Sequence, residues 1–134
     1  RNTMNTIPIP IPITAIFAGL LALMLVGVSI RVTVLRAKKK INLFDGGDPE
    51  MGRAIRVQGN FIEYVPMALA LMGLLEWMGV KPWVVYALGI ALLAARVSHA
   101  WGIYSNAFPG RVIGTTATWI VLAVGGLLVL GLVA

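Results

Sequence analysis

Long apolar runs separated by short polar stretches dominate the sequence. Four of these runs cover about residues 13–36, 51–78, 82–104 and 111–133, and each reaches the roughly 20 residues that a helix needs to cross a bilayer core about 30 Å thick. A helix also pairs its own backbone groups, which lipid requires. The pattern therefore predicts an all-α membrane protein with one domain, a four-transmembrane-helix bundle.

Proline, glycine and polar residues mark the predicted helix ends. Alternating isoleucine and proline over residues 7–13 is incompatible with regular helix and precedes the first span. The stretch Gly46 to Pro49 has turn chemistry ahead of a helix start. Asn106 to Gly110 is predicted to be the loop before Arg111, and Met4 is expected to be the natural start of the chain.

The predicted second helix carries charged and amide side chains that are unusual in a membrane span. At about 100° per residue, five polar residues fall on one of its faces, namely Arg53, Arg56, Asn60, Glu63 and Tyr64. An ionisable group at membrane depth has to be paired, solvated or bound to a ligand, so this face indicates a site. Arg53, nearest the helix end, is interpreted as an interfacial residue, and Gln58 points away from the face.

Composition supports the membrane assignment and limits the chemistry. Hydrophobic residues make up 59% of the chain and charged residues only 12%, about half the charged fraction of soluble domains. The absence of cysteine and the presence of a single histidine argue against a metal site built by the protein. The net charge of +6 is explained by topology and anionic lipid, so no nucleic acid partner is predicted.

Basic residues are distributed unequally among the predicted loops. Only Lys81 lies at loop two. Eight others lie at loops one and three or just inside the adjoining helices: Arg36, Lys38, Lys39, Lys40, Arg53, Arg56, Arg96 and Arg111. The positive-inside rule then predicts that loops one and three face the cytoplasm and that both termini face the opposite side. Glu76, at the far end of the second helix, is expected to be exposed.

The polar residues match a small zwitterion with more negative than positive charge, such as a peptide-like ligand. Glu63 would accept from the ligand ammonium, or else form an ion pair with Arg56 or Arg96 that only joins helices. Arg111, at the start of the fourth helix, could lower the pKa of a ligand thiol, or it could be an interfacial residue that sets topology. His99 shares a helix face with Arg96 and is equally consistent with packing.

The residues from Arg53 to Pro66, with Asp48-Pro49-Glu50 before them and Arg96-Val-Ser-His99 after them, resemble the MAPEG family, the membrane-associated proteins in eicosanoid and glutathione metabolism. The pattern Arg-x-Gln-x-Asn-x-x-Glu-Tyr-x-Pro from Arg56 to Pro66 is its most specific part. Size and four-span plan agree along nearly the whole chain, and the bacterial branch is most similar. The resemblance implies a homotrimer in the bacterial inner membrane, with glutathione as co-substrate bound between neighbouring subunits at the cytoplasmic end.

The resemblance also implies roles for individual residues. Arg111, helped by Arg36, matches the catalytic arginine that stabilises the thiolate, and Gln58 matches a contact to the neighbouring subunit's glutathione. The other implied glutathione-binding residues are Arg56, Asn60, Glu63, Tyr64, Arg96, His99 and Tyr104. The leukotriene-forming branch has tyrosines where this chain has His99 and Ile103, and Tyr104 lies one position late, so eicosanoid specificity does not carry over.

Three functions are compatible with these residues. The leading hypothesis is a glutathione transferase or peroxidase that acts on small hydrophobic substrates, either lipophilic electrophiles or lipid hydroperoxides, entering from membrane lipid. One alternative is a small proton-coupled multidrug transporter in which Glu63 exchanges protons for a cationic drug, although the arginines would repel such a substrate. The other is a non-catalytic membrane protein of the same fold.

Overall fold

The computed structural model describes residues 10–134, which form four helices. They are α1 (Pro12–Lys39), α2 (Pro49–Trp77), α3 (Pro82–Tyr104) and α4 (Phe108–Val133). No strand occurs within the described residues, and the predicted all-α four-helix architecture is confirmed. By length and composition α1, α3 and α4 can each cross a membrane. The 29 residues of α2 span about 44 Å at 1.5 Å per residue, so this helix is long enough but more polar.

Local chemistry explains where α2 and α4 begin. Asp48 caps α2, because its side chain accepts a hydrogen bond of 2.8 Å from the backbone N–H of Met51. The fourth helix begins at Phe108, three residues before the predicted start, so Pro109 lies in its first turn. Proline fits there because the first N–H groups of a helix need no helical partner. The connection between α3 and α4 is therefore shorter than predicted, since the last three residues of the predicted loop, 108–110, are helical.

The bounds of α1 also differ from the prediction. Pro12 is its first residue, so the end of the isoleucine–proline repeat is helical, again because proline fits a first turn. The start of that repeat and Met4 lie outside the described residues. At its other end, α1 continues to Lys39 and closes with Lys40 in the left-handed region at φ 55°.

The third and fourth helices pack through glycines. A Cβ atom added to Gly114 would lie 2.6 Å from the carbonyl oxygen of Ala95, and one added to Gly102 would overlap the backbone nitrogen of Arg111. Such spacing lets two helix backbones approach closely, as is common in membrane bundles. The start of α4, with Arg111, is thereby fixed against the end of α3, with Arg96 and His99.

Glu76 joins the last turn of α2 to the first turn of α1, so the expectation that it is exposed is wrong. Its Oε1 accepts from the backbone N–H of Ile13 at 2.8 Å and its Oε2 from that of Thr14 at 2.7 Å. These N–H groups have no partner within α1, and no side chain at the N-cap residue Ile11 serves them. A carboxylate is also favoured there by the helix dipole. Glu76 therefore caps α1 from another helix.

We expect Glu76→Gln to lower the free energy of unfolding by about 1–2 kcal/mol, because a neutral amide has one acceptor oxygen and no charge to complement the helix dipole. Equilibrium unfolding in mixed micelles measures this change. The control is Glu50→Gln, which removes partly exposed ion pairs to Arg31 at 3.4 Å and Lys39 at 3.1 Å and should cost no more than about 1 kcal/mol. Equal losses in the two variants would argue against the cap.

Candidate functional site

A polar groove lies between α2 and the joined ends of α3 and α4. It has two adjoining lobes of about 400 and 410 Å³, which share Arg56, Phe108 and Arg111. The end lobe is lined in addition by Pro49, Gly52, Arg53, Gly102, Ile103 and Asn106. The inner lobe is lined in addition by Asn60, Tyr64, His99, Val112, Thr115, Thr116 and Trp119.

The lining of the groove is cationic. It includes Arg53, Arg56 and Arg111 but no carboxylate residue. Arg56 forms an ion pair with Glu63 on the same helix, with Nη1 3.1 Å from Oε1, whereas no ion pair involves Arg53 or Arg111 among residues 10–134. The same described residues contain no group of three or more side chains that could hold a metal ion. The groove therefore suits an anionic ligand held by guanidinium groups.

Arg111 is exposed and lies in the first turn of α4, on the positive end of the helix dipole. Its position depends on Gly102, because any side chain there would overlap the Arg111 backbone nitrogen. Gly110 is also buried, with Trp101 2.8 Å from where its Cβ would be. The close contact of α3 with α4 thus brings Arg111 opposite Arg56 on α2.

Arg96 lies beneath the groove and does not line it. Only 1% of its surface is exposed. Its Nη1 donates to Asn60 Oδ1 on α2 at 2.6 Å, and its Nη2 donates to two groups on α4, the Gly114 carbonyl at 3.0 Å and Thr118 Oγ1 at 2.5 Å. The guanidinium is enclosed and donates to groups on two other helices, α2 and α4, so in the single chain it does not reach the groove, and its contact with glutathione stays a prediction.

The bond from Arg96 also fixes the chemistry of Asn60. This residue lines the inner lobe although it is only 3% exposed. Because its Oδ1 accepts from Arg96, the group that Asn60 has left for a ligand is its Nδ2, which can only donate. A ligand atom bound there has to be a hydrogen-bond acceptor.

Of the aromatic and histidine residues predicted to bind glutathione, two lie in the groove and one does not. Tyr64 and His99 line the inner lobe. Tyr104 packs against α1 instead, with the guanidinium of Arg31 4.5 Å from the centre of its ring. Its hydroxyl is buried and has no hydrogen-bond partner within the described part of the chain. The structure therefore does not bring Tyr104 to the other predicted residues.

The family pattern and the groove occupy the same part of the chain. A family model described as the MAPEG family matches residues 14–131, which include every residue lining the two lobes. The chain belongs to the MAPEG family. Similar curated proteins are the inner membrane protein YecN of Escherichia coli strain K12 and that of Escherichia coli O6:H1. Each is 40% identical over 110 residues, which are 82% of this chain and 84% of the relative.

Two residues predicted to act at the site contact α1 or its loop in this MAPEG protein. Arg36 Nη1 donates to the carbonyl oxygens of Ile41 at 3.4 Å and Phe44 at 3.0 Å. Gln58 Nε2 donates to Ser29 Oγ at 2.9 Å, so its side chain is directed to α1 of its own chain. Neither residue lines the groove of the same chain.

Three groove residues were not predicted to belong to the site. Arg53 was interpreted as an interfacial residue, and in this MAPEG protein it is half-buried and lines the end lobe beside Arg56. On α4, Thr115 and Trp119 line the inner lobe and follow Arg111 at intervals of four residues. That helical spacing is the signal that would have found them once Arg111 was chosen.

Proposed function

We propose that this protein is an integral glutathione-dependent transferase or peroxidase of the bacterial inner membrane, acting on lipophilic electrophiles or lipid hydroperoxides. The observation that carries the proposal is the placement of Arg111, without an ion-pair partner among the described residues, in a groove that has no lining carboxylate. Glutathione has two carboxylates, one ammonium and one thiol. Its charges complement three arginines and the nearby Glu63.

In this proposal, the polar residues of the groove hold the glutathione backbone. Arg53 and Arg56 bind carboxylates, for which guanidinium offers two parallel hydrogen bonds. Glu63, already 3.1 Å from Arg56, accepts from the ammonium. Asn60 donates its Nδ2 to a peptide carbonyl. Tyr64 and His99 line the remaining wall of the inner lobe.

Arg111 activates the thiol. A nearby positive charge lowers a thiol pKa from its usual value of about 8.5, so more thiolate forms at neutral pH. The thiolate attacks an electrophilic carbon to give a thioether. In a displacement the leaving group departs with the electron pair of its bond to that carbon, and in an addition to an activated double bond the π electron pair moves to the adjacent carbon, which is then protonated. With a hydroperoxide, the sulfur attacks the terminal oxygen, the O–O bond breaks, and the alkoxide leaves as an alcohol after protonation. A second glutathione then reduces the sulfenic acid, forming glutathione disulfide and water.

We further propose that the chain works as a homotrimer with loops one and three in the cytoplasm. In a single chain, the side chains of Arg56 and Glu63 are 53% and 47% exposed at a depth where lipid disfavours charge. A neighbouring subunit that packs over this face would cover them. Arg36 and Gln58 act at the groove only in such an assembly, because each contacts α1 or its loop within its own chain.

Glutathione titration into the detergent-purified protein, followed by thiolate absorbance, conjugation and hydroperoxide assays, tests the proposal. We expect Arg111→Ala to reduce turnover by about 10²–10³-fold, which is the usual effect of removing one hydrogen-bond donor that stabilises an anion in an active site. The affinity for glutathione should change much less. Arg111→Lys should retain part of the activity. Glu63→Gln should weaken glutathione binding, and Lys81→Gln, exposed in the α2–α3 connection, is the control and should change neither.

The outcomes separate the proposed function from its alternatives. The absence of saturable glutathione binding would overturn it. Binding without turnover on any electrophile or hydroperoxide would favour a non-catalytic protein of this fold. Loss of drug resistance in cells carrying Glu63→Gln, with no effect of glutathione, would favour a transporter, although the ion pair of Glu63 with Arg56 argues against a free proton-exchanging carboxylate.

A further inference from the structure

The connection between α1 and α2 exposes two adjacent apolar side chains. Leu43 is 75% exposed and Phe44 is 83% exposed, the two largest values among the large hydrophobic residues within residues 10–134. We call Leu43 and Phe44 the apolar tip. Adjacent apolar side chains at such exposure, rimmed by polar residues, are typical of an interaction surface.

The loop is built to hold this tip outward. Phe44 has a φ of 54°, in the left-handed region that a bulky residue seldom adopts. Arg36 holds this conformation, because its Nη1 donates to the Phe44 carbonyl at 3.0 Å. On the inner side, Ile41 packs over Gly46, where a Cβ atom would lie 3.1 Å from the Ile41 side chain. Arg36 and Ile41 thus fix the backbone while Leu43 and Phe44 remain outside.

Two lysines without ion pairs precede the tip in the chain. Lys39 is engaged, with its Nζ 2.8 Å from Asp48 and 3.1 Å from Glu50. The hydrogen bond from Lys39, followed in size by that from the Met51 backbone N–H, lowers the pKa of the Asp48 carboxyl below its usual value. Lys38 and Lys40 are exposed and form no ion pair among the described residues.

We propose that the α1–α2 loop binds anionic phospholipid. The loop follows a helix long and apolar enough to cross a membrane, so it emerges at the level of the headgroups. There Leu43 and Phe44 enter the boundary between headgroups and acyl chains, and Lys38 and Lys40 contact the lipid phosphates. The opposite charges of lysine and headgroup favour this occupant. Glutathione chemistry plays no part in the proposal.

Because the chain contains no cysteine, single-cysteine variants can report the depth of the loop. Leu43→Cys and Phe44→Cys, labelled with an environment-sensitive fluorophore, are placed in nanodiscs of phosphatidylcholine with or without phosphatidylglycerol. Asn42→Cys and Asp45→Cys, also exposed in the same loop, are the matched controls. We expect a blue shift and quenching by spin-labelled lipid at 43 and 44, larger with phosphatidylglycerol, and neither change at 42 and 45.

The lysines are tested separately on the cysteine-free chain. Spin-labelled phosphatidylglycerol should bind about 10-fold to 30-fold less well to the double variant Lys38→Gln/Lys40→Gln, from the usual contribution of each lysine near an anionic surface. Lys81→Gln in the α2–α3 connection should have little effect. Thermal unfolding of each variant shows whether the bundle is intact.

Three results would overturn the proposal. One is an equal signal at positions 42 to 45, which would mean that the tip is not selectively buried. Another is a blue shift in detergent that grows with protein concentration, because a second copy of the chain would then cover the tip. The third is an equal loss of phosphatidylglycerol binding in Lys81→Gln and in Lys38→Gln/Lys40→Gln, which would exclude a specific role for Lys38 and Lys40.

Discussion

Replacing Arg96 with alanine is expected to lower the free energy of unfolding by about 3 kcal/mol or more and to weaken ligand binding in the groove by about tenfold. Two losses combine in this variant. A fully enclosed side chain is removed, which leaves a cavity, and the Oδ1 of Asn60 loses its donor inside the bundle. Without that bond the side-chain amide of Asn60 is free to rotate, so either its Nδ2 or its Oδ1 can face the ligand in the groove.

A double-mutant cycle distinguishes this account from a simple packing defect. Asn60→Ala and Arg96→Ala are measured singly and together by equilibrium unfolding in mixed micelles and by glutathione titration. We expect the double variant to lose clearly less than the sum of the two single variants, since they share one hydrogen bond. Arg96→Lys, which keeps the charge but not the branched geometry, should fall between wild type and Arg96→Ala. Additive losses would contradict the role of Arg96 in positioning Asn60.

Gly102→Ala is expected to cost about 3 kcal/mol and to displace Arg111. The added methyl would overlap the backbone nitrogen of Arg111 and lie close to the backbone of Gly110. Backbone atoms cannot turn aside as a flexible side chain can, so the ends of α3 and α4 have to separate. Both the free energy of unfolding and the thiolate absorbance of added glutathione should fall.

The control for Gly102→Ala is Gly126→Ala within α4. Apart from its two chain neighbours and the nearby backbone of α4 itself, no atom lies within 4 Å of the position that its Cβ would take, and alanine is favoured over glycine in a helix by up to about 1 kcal/mol. The control should therefore be neutral or slightly more stable and should bind glutathione as wild type does. If both variants lose the same stability, the loss reflects glycine replacement in general and not the contact between α3 and α4.

The fold and part of the groove could be predicted because they depend on spacing within one helix. Length and hydropathy were enough to find four helices, and the period of α2 placed Arg56, Asn60 and Tyr64 on the face that lines the groove. Family membership, inferred from the pattern between Arg56 and Pro66, was confirmed by the match over residues 14–131.

What could not be predicted depends on which groups meet across helices. The burial of Arg96 follows from Gly114 and Thr118 on α4, whose distance from α3 no spacing in the sequence specifies. The partial burial of Glu76 was missed for the same reason. Its partners are backbone N–H groups, which nearly every residue type has, so no pattern of residue types in the sequence points to them. Arg53 was not predicted to line the groove, because a position near a helix end fits an interfacial arginine as well as a ligand contact.

The cap that Glu76 provides has a consequence for the order of synthesis. Its bond to the Ile13 N–H joins positions 63 residues apart, and the acceptor lies in the last turns of α2. The ribosome therefore makes all of α1 and nearly all of α2 before the first turn of α1 can receive its acceptor. During that interval the N–H groups in the first turn of α1 have to donate to water or to lipid headgroups. They exchange these partners for the Glu76 carboxylate only when α2 is complete and packs against α1.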